Sequence, residues 1–476
     1  MKLFGTDGIR GRAGSPPLEP ETVARIGSAL VRALAPTAGP SAQLRDRAAA
    51  IRTAHAPRVL IGRDTRESGT WIEAELTRGL VSEGASVVSA GVVPTPAVAY
   101  LAGTEAFDVG IVISASHNPY EDNGIKVFSG SGVKVTEAVE QEIERFMADR
   151  SWLVPSAVEG PAPSEVEGSV RPERATVDTS ADLSDRYLSH LRQMLPDASA
   201  LTGWPVVVDC ANGATAPHAP ALFRSFGLDV KAIGADPNGR NINLDCGSTH
   251  LDSLARHVVE HQARLGIAFD GDGDRALLVD HQGRTVNGDA ILLMAARHLQ
   301  HEGRLPQSAI VATVMSNIGL EIALGELGIT MVRCPVGDKF VMEEMNRRGL
   351  ALGGEQSGHI ILSEHLFTGD GMATALFVLR MIAESRLDLA DLASAMVRYP
   401  QVLVNVRVRE KADYMQVPAI AAVVRRVESD LAGQGRLLVR YSGTEPLLRI
   451  MLEGKDDGDI RAWADEIASA VKAHLS

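Results

Sequence analysis

Four short stretches of this chain bring together residue types that can do chemistry. In Ser114-Ala115-Ser116-His117-Asn118-Pro119, two hydroxyls stand beside an imidazole, and Lys126 follows closely. A hydroxyl with polar and cationic company is a candidate nucleophile. The plain alternative is a surface loop whose Ser and Asn side chains cap their own backbone. In Asp270-Gly271-Asp272-Gly273-Asp274-Arg275, three carboxylates alternate with glycines. Alternate residues of extended backbone point to one side, so the acids would converge, and the glycines between them allow a tight bend. Like charges so close need a cation among them, and an all-oxygen set suits Mg²⁺. An EF-hand reading fails, because counting from Asp270 the sixth and twelfth positions hold Arg275 and His281 rather than Gly and Glu. A dehalogenase-type phosphatase would want Thr or Val where Asp274 stands. The third stretch, Gly353 to His359, sets Glu355, Ser357 and His359 at alternate positions, groups that bind sugar hydroxyls and move protons. Otherwise it is a polar turn. The fourth, Arg440-Tyr441-Ser442-Gly443-Thr444 with Arg449, has the guanidiniums, hydroxyls and backbone amides of a phosphate clamp, or is an ordinary hairpin turn. The Gly-rich opening, Phe4 to Arg12, adds Arg10 and Arg12 on backbone that can approach a ligand closely.

Apolar runs must position these groups. Val109 to Ile113 is short and rich in β-branched residues, so it reads as a buried strand. Its C-terminal end, where the nucleophile candidate lies, is where ligands bind in open α/β sheets. Leu265–Phe269 and Ala276–Val279 bracket the acids in the same way. A repeat is visible in Val59–Arg66 leading to Gly84, Val206–Gly213 leading to Gly227, and Ile310–Asn317 leading to Gly328. Each copy runs strand, turn, helix, Gly, strand, a βαβ unit that requires parallel strands. Three related α/β domains are predicted, each offering a strand-end loop to a shared cleft. A helix is predicted over Pro20–Leu34, a solvated insertion over Ala35–Pro57, and an interdomain connection over Ser151–Asp178. Beyond Tyr399-Pro400 the pattern becomes an alternating strand over Val402–Val408, a helix over Pro418–Leu431, strands over Arg436–Arg440 and Leu447–Leu452, and a helix over Asp459–Leu475. That is a smaller, separate α+β domain.

The chain's 476 residues exceed one core and point to several domains. A net charge of −13 argues against nonspecific binding to nucleic acid or anionic membranes, while leaving room for a local basic pocket. Three scattered cysteines, Cys210, Cys246 and Cys334, form neither a disulfide framework nor a zinc site. The opening lacks an apolar signal core, and no uncharged run of about 18 residues follows. A cytoplasmic location with no membrane partner is expected.

With these four motifs in this order, the chain resembles the α-D-phosphohexomutase superfamily along essentially its whole length. The opening motif, Gln356, Val336–Lys339 and Asn241–His250 are most similar to its bacterial amino-sugar branch, other branches typically carrying Met for Gln356. The resemblance implies α/β architecture: three related α/β/α domains with mixed sheets around a central cleft, plus a smaller α+β C-terminal domain, over 1–165, 166–281, 282–397 and 398–476. It implies an isomerase interconverting glucosamine 6-phosphate and glucosamine 1-phosphate, for UDP-N-acetylglucosamine and cell-wall synthesis. The alternative is phosphomannomutase/phosphoglucomutase activity; a metal-dependent sugar phosphatase or a noncatalytic sugar-phosphate sensor is more distant. Ser116 would carry the phosphoryl group and, through it, join Asp270, Asp272 and Asp274 in holding Mg²⁺. Arg10, Lys126 and His117 would assist transfer. Glu355 and Ser357 would grip sugar hydroxyls, with His359 as proton carrier, and Arg440, Ser442, Gly443, Thr444 and Arg449 would hold the other phosphate. Glucosamine 1,6-bisphosphate would be the activating intermediate, and its turning in the cleft implies motion of the C-terminal domain. The implied partners are a phosphorylated hexosamine and, as a candidate assembly, a second copy of the chain. Tyr441 stands where Lys is common, and Lys339-Phe340 where Arg-Tyr is common.

Overall fold

Val109–Ile113 is buried along its whole length, because helices cover both faces of its sheet. Ile111 and Ile113 enter one core with the helices Pro20–Leu34 and Gly69–Ser82. Val112 enters another with the helix Thr95–Thr104, as the period of two in extended chain dictates. The computed structural model describes residues 2–5, 7–34, 56–149, 180–431, 435–442 and 446–476. The expected connection over 151–178 lies outside the described residues, as do most of the expected insertion over 35–57, the boundary at 165, and Gly443 and Thr444.

The first sheet runs Phe4–Gly5, Gly8–Arg12, Asp122–Ser129, Val109–Ile113, Arg58–Arg63, Ser86–Val92. Arg58–Arg63 pairs in parallel with both Ser86–Val92 and Val109–Ile113. After Ile113 the connection is too short for a crossover, so the chain hairpins back. Asp122–Ser129 then pairs antiparallel, with Lys126 opposite Val112.

The next two sheets repeat this plan. Pro205–Asp209 is parallel to Asp229–Ile233 and to Leu265–Phe269, and Leu265–Phe269 hairpins into Ala276–Asp280. Ala309–Thr313 is parallel to Thr330–Cys334 and to Leu352–Gly354, and Leu352–Gly354 hairpins into Ile360–Leu362. The three βαβ units therefore have the parallel strands that the repeat requires. The nucleophile, acidic and third stretches all occupy the same place: the hairpin that closes the βαβ unit.

The C-terminal sheet, Gln401–Arg407, Leu447–Gly454, Gly435–Tyr441, is antiparallel. It packs under Pro418–Leu431 and Asp457–Leu475 around a separate core that includes Ile420, Val427, Ile450 and Ile467. The last helix starts two residues before its expected position, because the Asp456 carboxylate accepts the Asp459 N–H (2.9 Å) and caps the first turn. Cys210, Cys246 and Cys334 are buried and unbridged. Among the described residues no helix is long and apolar enough to cross a membrane.

Truncating Ile111, which is fully buried between strand neighbours and helices, is expected to cost about 2–5 kcal/mol of unfolding free energy. Urea denaturation of Ile111→Ala followed by circular dichroism measures it; a loss under about 0.5 kcal/mol, the scale of a surface substitution, would contradict the packing described.

Candidate active site

The Ser116 backbone sits at φ +53°, in the left-handed region, a conformation that costs a non-glycine residue roughly 1–2 kcal/mol. A buried guanidinium holds it there. Arg66, 1% exposed, donates to the carbonyls of Ser116 (2.9 Å), Asn118 (2.9 Å), Asp122 (3.0 Å) and Pro119, and to Asp64 Oδ2 (2.9 Å). Asp64 also accepts the Ser114 hydroxyl (2.6 Å), whose oxygen in turn accepts the Ser116 N–H (2.9 Å). From the second domain, Asn243 Nδ2 donates to the Ser116 and Asn118 carbonyls at 2.9 and 3.1 Å. The contacts to the Ser116 carbonyl and among Asp64, Arg66 and Ser114 are buried, a low-dielectric setting where satisfied polar networks rigidify the backbone that they hold.

The Ser116 hydroxyl donates to Asp270 Oδ2 at 2.6 Å. Asp270, Asp272 and Asp274 are all buried, and their ligand oxygens lie within 4.8 Å of one another. Their convergence comes from the bend that the intervening glycines allow, not from alternation in extended backbone. The strand ends at Phe269, and the acids sit on a tight turn with Gly273 at φ +71°, so the turn rather than strand alternation gathers them. Gly271 is required by close approach: a Cβ there would lie 2.5 Å from the Ser116 carbonyl oxygen. Thr95 pins the turn, its hydroxyl donating to Asp272 Oδ2 (2.6 Å) and its N–H to the Asp272 carbonyl (2.8 Å).

Charge in this turn is only partly balanced. Lys126 Nζ reaches Asp272 Oδ2 (2.8 Å), Asp274 Oδ2 (3.2 Å) and Asp7 Oδ2 (3.2 Å). Burial opposes its charge, but these carboxylates overcome it and raise its pKa. Burial, followed by the Asp274 and Asp272 charges, pushes Asp270 well above the usual carboxylate range. Asp272 Oδ1 and Asp274 Oδ1 are buried and have no hydrogen-bond partner among the described residues. Three buried carboxylates whose ligand atoms lie within 4.8 Å of one another, two of them with an unpartnered oxygen, are the donor set of a hard cation. The turn fits a metal ion.

A cleft of about 1410 Å³ opens over this turn, lined by Arg10, His117, Asp274, Arg275, Glu355 and His359 among others. Arg10 bonds Asp7 and donates to Asn118 Oδ1 (3.4 Å). His117 Nδ1 lies 3.3 Å from the Ser116 hydroxyl and 3.2 Å from an Arg275 nitrogen. Burial and the Arg275 and Arg10 cations push its ring down to about 4. Glu355 Oε1 accepts the Gly337 N–H (3.1 Å), and the Ser357 hydroxyl has no partner among the described residues. His359 is 2% exposed. Burial opposes charge on it, while Asp274, 3.7 Å from its Nδ1, and Asp338 raise its pKa. The Gly369 N–H donated to Nε2 (3.1 Å) requires an unprotonated nitrogen there, so Nδ1 carries the proton and faces Asp274.

Arg440 and Arg449 face each other across the C-terminal hairpin. Like charges opposed on a sheet repel, and burial together with Arg449 lowers the Arg440 pKa, so the pair favours an anion between them. Arg449 also donates to the Ser442 hydroxyl (3.4 Å). The two arginines line a small separate cavity with Met315 and Leu438. Arg66, Asp64, Thr95 and Asn243 were not singled out from the sequence as site residues. A charged Asp64-Thr65-Arg66 ending an apolar strand was the available signal for two of them.

Four family models match the chain in order. They are the phosphoglucomutase/phosphomannomutase alpha/beta/alpha domains I over 1–153, II over 185–283 and III over 287–399, and the C-terminal domain over 403–470. Fold and site thus define a phosphohexomutase-type isomerase. A curated phosphoglucosamine mutase from Solibacter usitatus is 46% identical over 477 residues, covering 99% of this chain and 99% of the relative, and this chain belongs to the phosphoglucosamine mutase family. Among solved structures, a phosphoglucomutase/phosphomannomutase family protein from Burkholderia thailandensis matches with a TM-score of 0.75 at 21% identity, covering 100% of this chain and 98% of that one. An Aspergillus fumigatus N-acetylphosphoglucosamine mutase, solved with GlcNAc-6P and magnesium, matches with a TM-score of 0.65 at 18% identity, covering 100% of this chain and 96% of that one.

Gly271→Ala is expected to push the metal turn off the Ser116 loop and lower kcat/KM about 100-fold, the cost of a displacement near 1 Å at a reacting group. Arg66→Lys, which replaces a five-donor fork by a single ammonium, is expected to lower both thermal stability and kcat. Steady-state assays and thermal melts check both; wild-type kinetics in either variant would contradict the clamp.

Proposed function

We propose that the chain interconverts glucosamine 6-phosphate and glucosamine 1-phosphate, with Ser116 as the phosphoryl carrier. The observation that carries this reading is the Ser116 hydroxyl bonded at 2.6 Å to Asp270, in a carboxylate turn under an open cleft, in a chain 46% identical end to end to a phosphoglucosamine mutase. In the first transfer the free hydroxyl of the sugar phosphate attacks the phosphorus carried by Ser116. The bond from phosphorus to Ser116 Oγ breaks, a new bond to the sugar oxygen forms, and the hydroxyl proton replaces the phosphoryl group on Ser116. The product is glucosamine 1,6-bisphosphate. After turning over in the cleft it returns its other phosphoryl group to Ser116 and leaves as the isomer.

Asp270, Asp272 and Asp274, with a phosphoserine oxygen, would hold Mg²⁺, which when bound offsets charge on the transferring group. Lys126 and Arg10 add fixed positive charge, and His117 lies beside the Ser116 oxygen. Glu355 and Ser357 bind sugar hydroxyls, and the unpartnered Ser357 oxygen supports this. His359, with its proton on the face toward Asp274, is the proton carrier nearest the turn. Arg440, Ser442, Gly443, Thr444 and Arg449 hold the non-reacting phosphate. The domain limits 1–165, 166–281, 282–397 and 398–476, and a cytoplasmic location, belong to the same reading.

Intact mass and peptide mapping are expected to find phosphate on the Ser116 peptide, and Ser116→Ala to lose both the phosphate and mutase activity. An unmodified Ser116 whose removal leaves activity intact would overturn the mechanism. Chelation is expected to abolish turnover and added Mg²⁺ to restore it; unchanged activity in excess chelator would contradict the metal. A kcat/KM that favours glucose or mannose phosphates over glucosamine phosphate would favour the phosphomannomutase/phosphoglucomutase alternative.

A further inference from the structure

Gln356 follows Glu355 in the Glu355–His359 loop, and its half-buried side chain sends its amide nitrogen inward to Asp289. The loop rests directly on the start of the helix Gly288–His301. A Cβ at Gly288 would lie 2.0 Å from the Glu355 carbonyl oxygen, and the Gly288 N–H donates to the Gln356 carbonyl (3.0 Å). From this seat Gln356 Nε2 donates to Asp289 Oδ2 (3.2 Å). The Asn317 N–H donates to the same oxygen (2.9 Å). Asp289 is fully buried, so one carboxylate oxygen away from water ties two loops together.

Asn317 carries the connection onward. Its Oδ1 accepts the Gly319 N–H (3.0 Å), capping the helix Ile318–Glu326, and also the Tyr399 N–H (3.0 Å). Its Nδ2 donates to the Tyr399 carbonyl (2.9 Å) and to Glu453 Oε1 (3.1 Å). The side-chain amide thus pairs with Tyr399 as a neighbouring strand would, two residues before the C-terminal sheet begins at Gln401. Glu453 is 0% exposed and is the cross-strand partner of Arg436, which bonds it at 2.9 Å and also donates to the Val314 carbonyl (2.8 Å) and the Ser316 carbonyl (3.1 Å).

The geometry of the hairpin gives this junction its leverage. Arg436 and Glu453 form one cross-strand pair, and Arg440 and Arg449 form another four residues along. Residues an even number apart on a strand share a face, and four residues span roughly 13 Å. The end of the hairpin gripped by Asn317 and the end bearing the phosphate arginines therefore belong to one stiff arm.

We propose that Gln356 is a positioning residue that, through Asp289 and Asn317, couples the seat of the sugar loop to the swing of the hairpin bearing Arg440 and Arg449. The chain is contiguous, every link in it is a hydrogen bond, and each intermediate side chain is buried. Its consequence for specificity is direct. The Gln356 amide nitrogen donates inward to Asp289, so its removal is expected to leave the choice of sugar unaltered.

The test uses the full chain with spin labels on Arg78→Cys and Lys472→Cys, in the first and C-terminal domains, and reads their distance distribution with and without glucosamine 6-phosphate in a Ser116→Ala background. Gln356→Leu is expected to broaden the distribution without ligand and to remove the shift that ligand produces. With Ser116 intact, the same substitution is expected to lower kcat about 10-fold, the usual scale of coupling between sites, with KM changed less than about 2-fold and the preference for glucosamine over glucose phosphate unaltered. Asn317→Asp, which keeps the helix cap but loses both Nδ2 donations, is expected to reproduce the broadening from the other end. An unchanged distribution in both variants would overturn the proposal, as would a changed sugar preference with the ligand shift intact. The inference rests on the mutase reading for its assay alone. A chain that turned over neither sugar would sink that reading, while the ligand-free distances would still decide the coupling.

Discussion

Three aspartates crowded into one buried turn create an electrostatic conflict that the rest of the molecule is built to contain. Asp270, Asp272 and Asp274 cannot all ionise out of water unless positive charge comes to them. Part of that charge arrives as Lys126, from the strand next to the nucleophile strand of the first domain, and part is left for a cation. Lys126 meets Asp272 and Asp274 across a domain boundary, so packing the first domain on the second and assembling the site are the same event. Breaking such a buried pair from one side leaves an uncompensated charge, which is why these residues bind the architecture as well as the chemistry.

The fold meets this demand by using one device three times. In each α/β domain a parallel strand ends and hairpins back, and the tip of the hairpin carries the candidate site residues. The C-terminal sheet, antiparallel throughout, instead sets Arg440 opposite Arg449 within the paired strands of its hairpin. A hairpin tip held by two ladders is stiffer than a long loop, and it leaves backbone amides and short side chains free to face the cleft. The strained φ of Ser116 is affordable only because Arg66 and Asn243 hold its carbonyl from two directions.

Much of this was legible in the sequence. The apolar runs gave the strands, the repeat gave the parallel pairs, and the spacing of the acids pointed to a shared cation. Of the two features offered for that convergence, alternation in extended backbone and a bend at the glycines, it is the bend, at Gly273, that gathers the acids. What stayed hidden depended on contacts between distant parts of the chain. Nothing local marks Asn243 as a support for Ser116, or Thr95 as an anchor for Asp272, because each matters only once two domains meet. Arg66 could be seen as a charge at the end of a strand, but not as the donor to four carbonyls of one loop. Gln356 was legible as a mark of the amino-sugar branch, but its contact with Asp289 was not, because the two residues stand 67 positions apart.

The most direct measurement follows the phosphoryl group itself. Enzyme carrying radiolabelled phosphate on Ser116 is mixed with unlabelled glucosamine 6-phosphate and quenched within a few turnovers. The account predicts that label leaves Ser116 and appears in sugar bisphosphate and then in sugar monophosphate, with none released as inorganic phosphate. Label that stays on Ser116 while isomer accumulates, or that departs as inorganic phosphate in step with substrate loss, would contradict it.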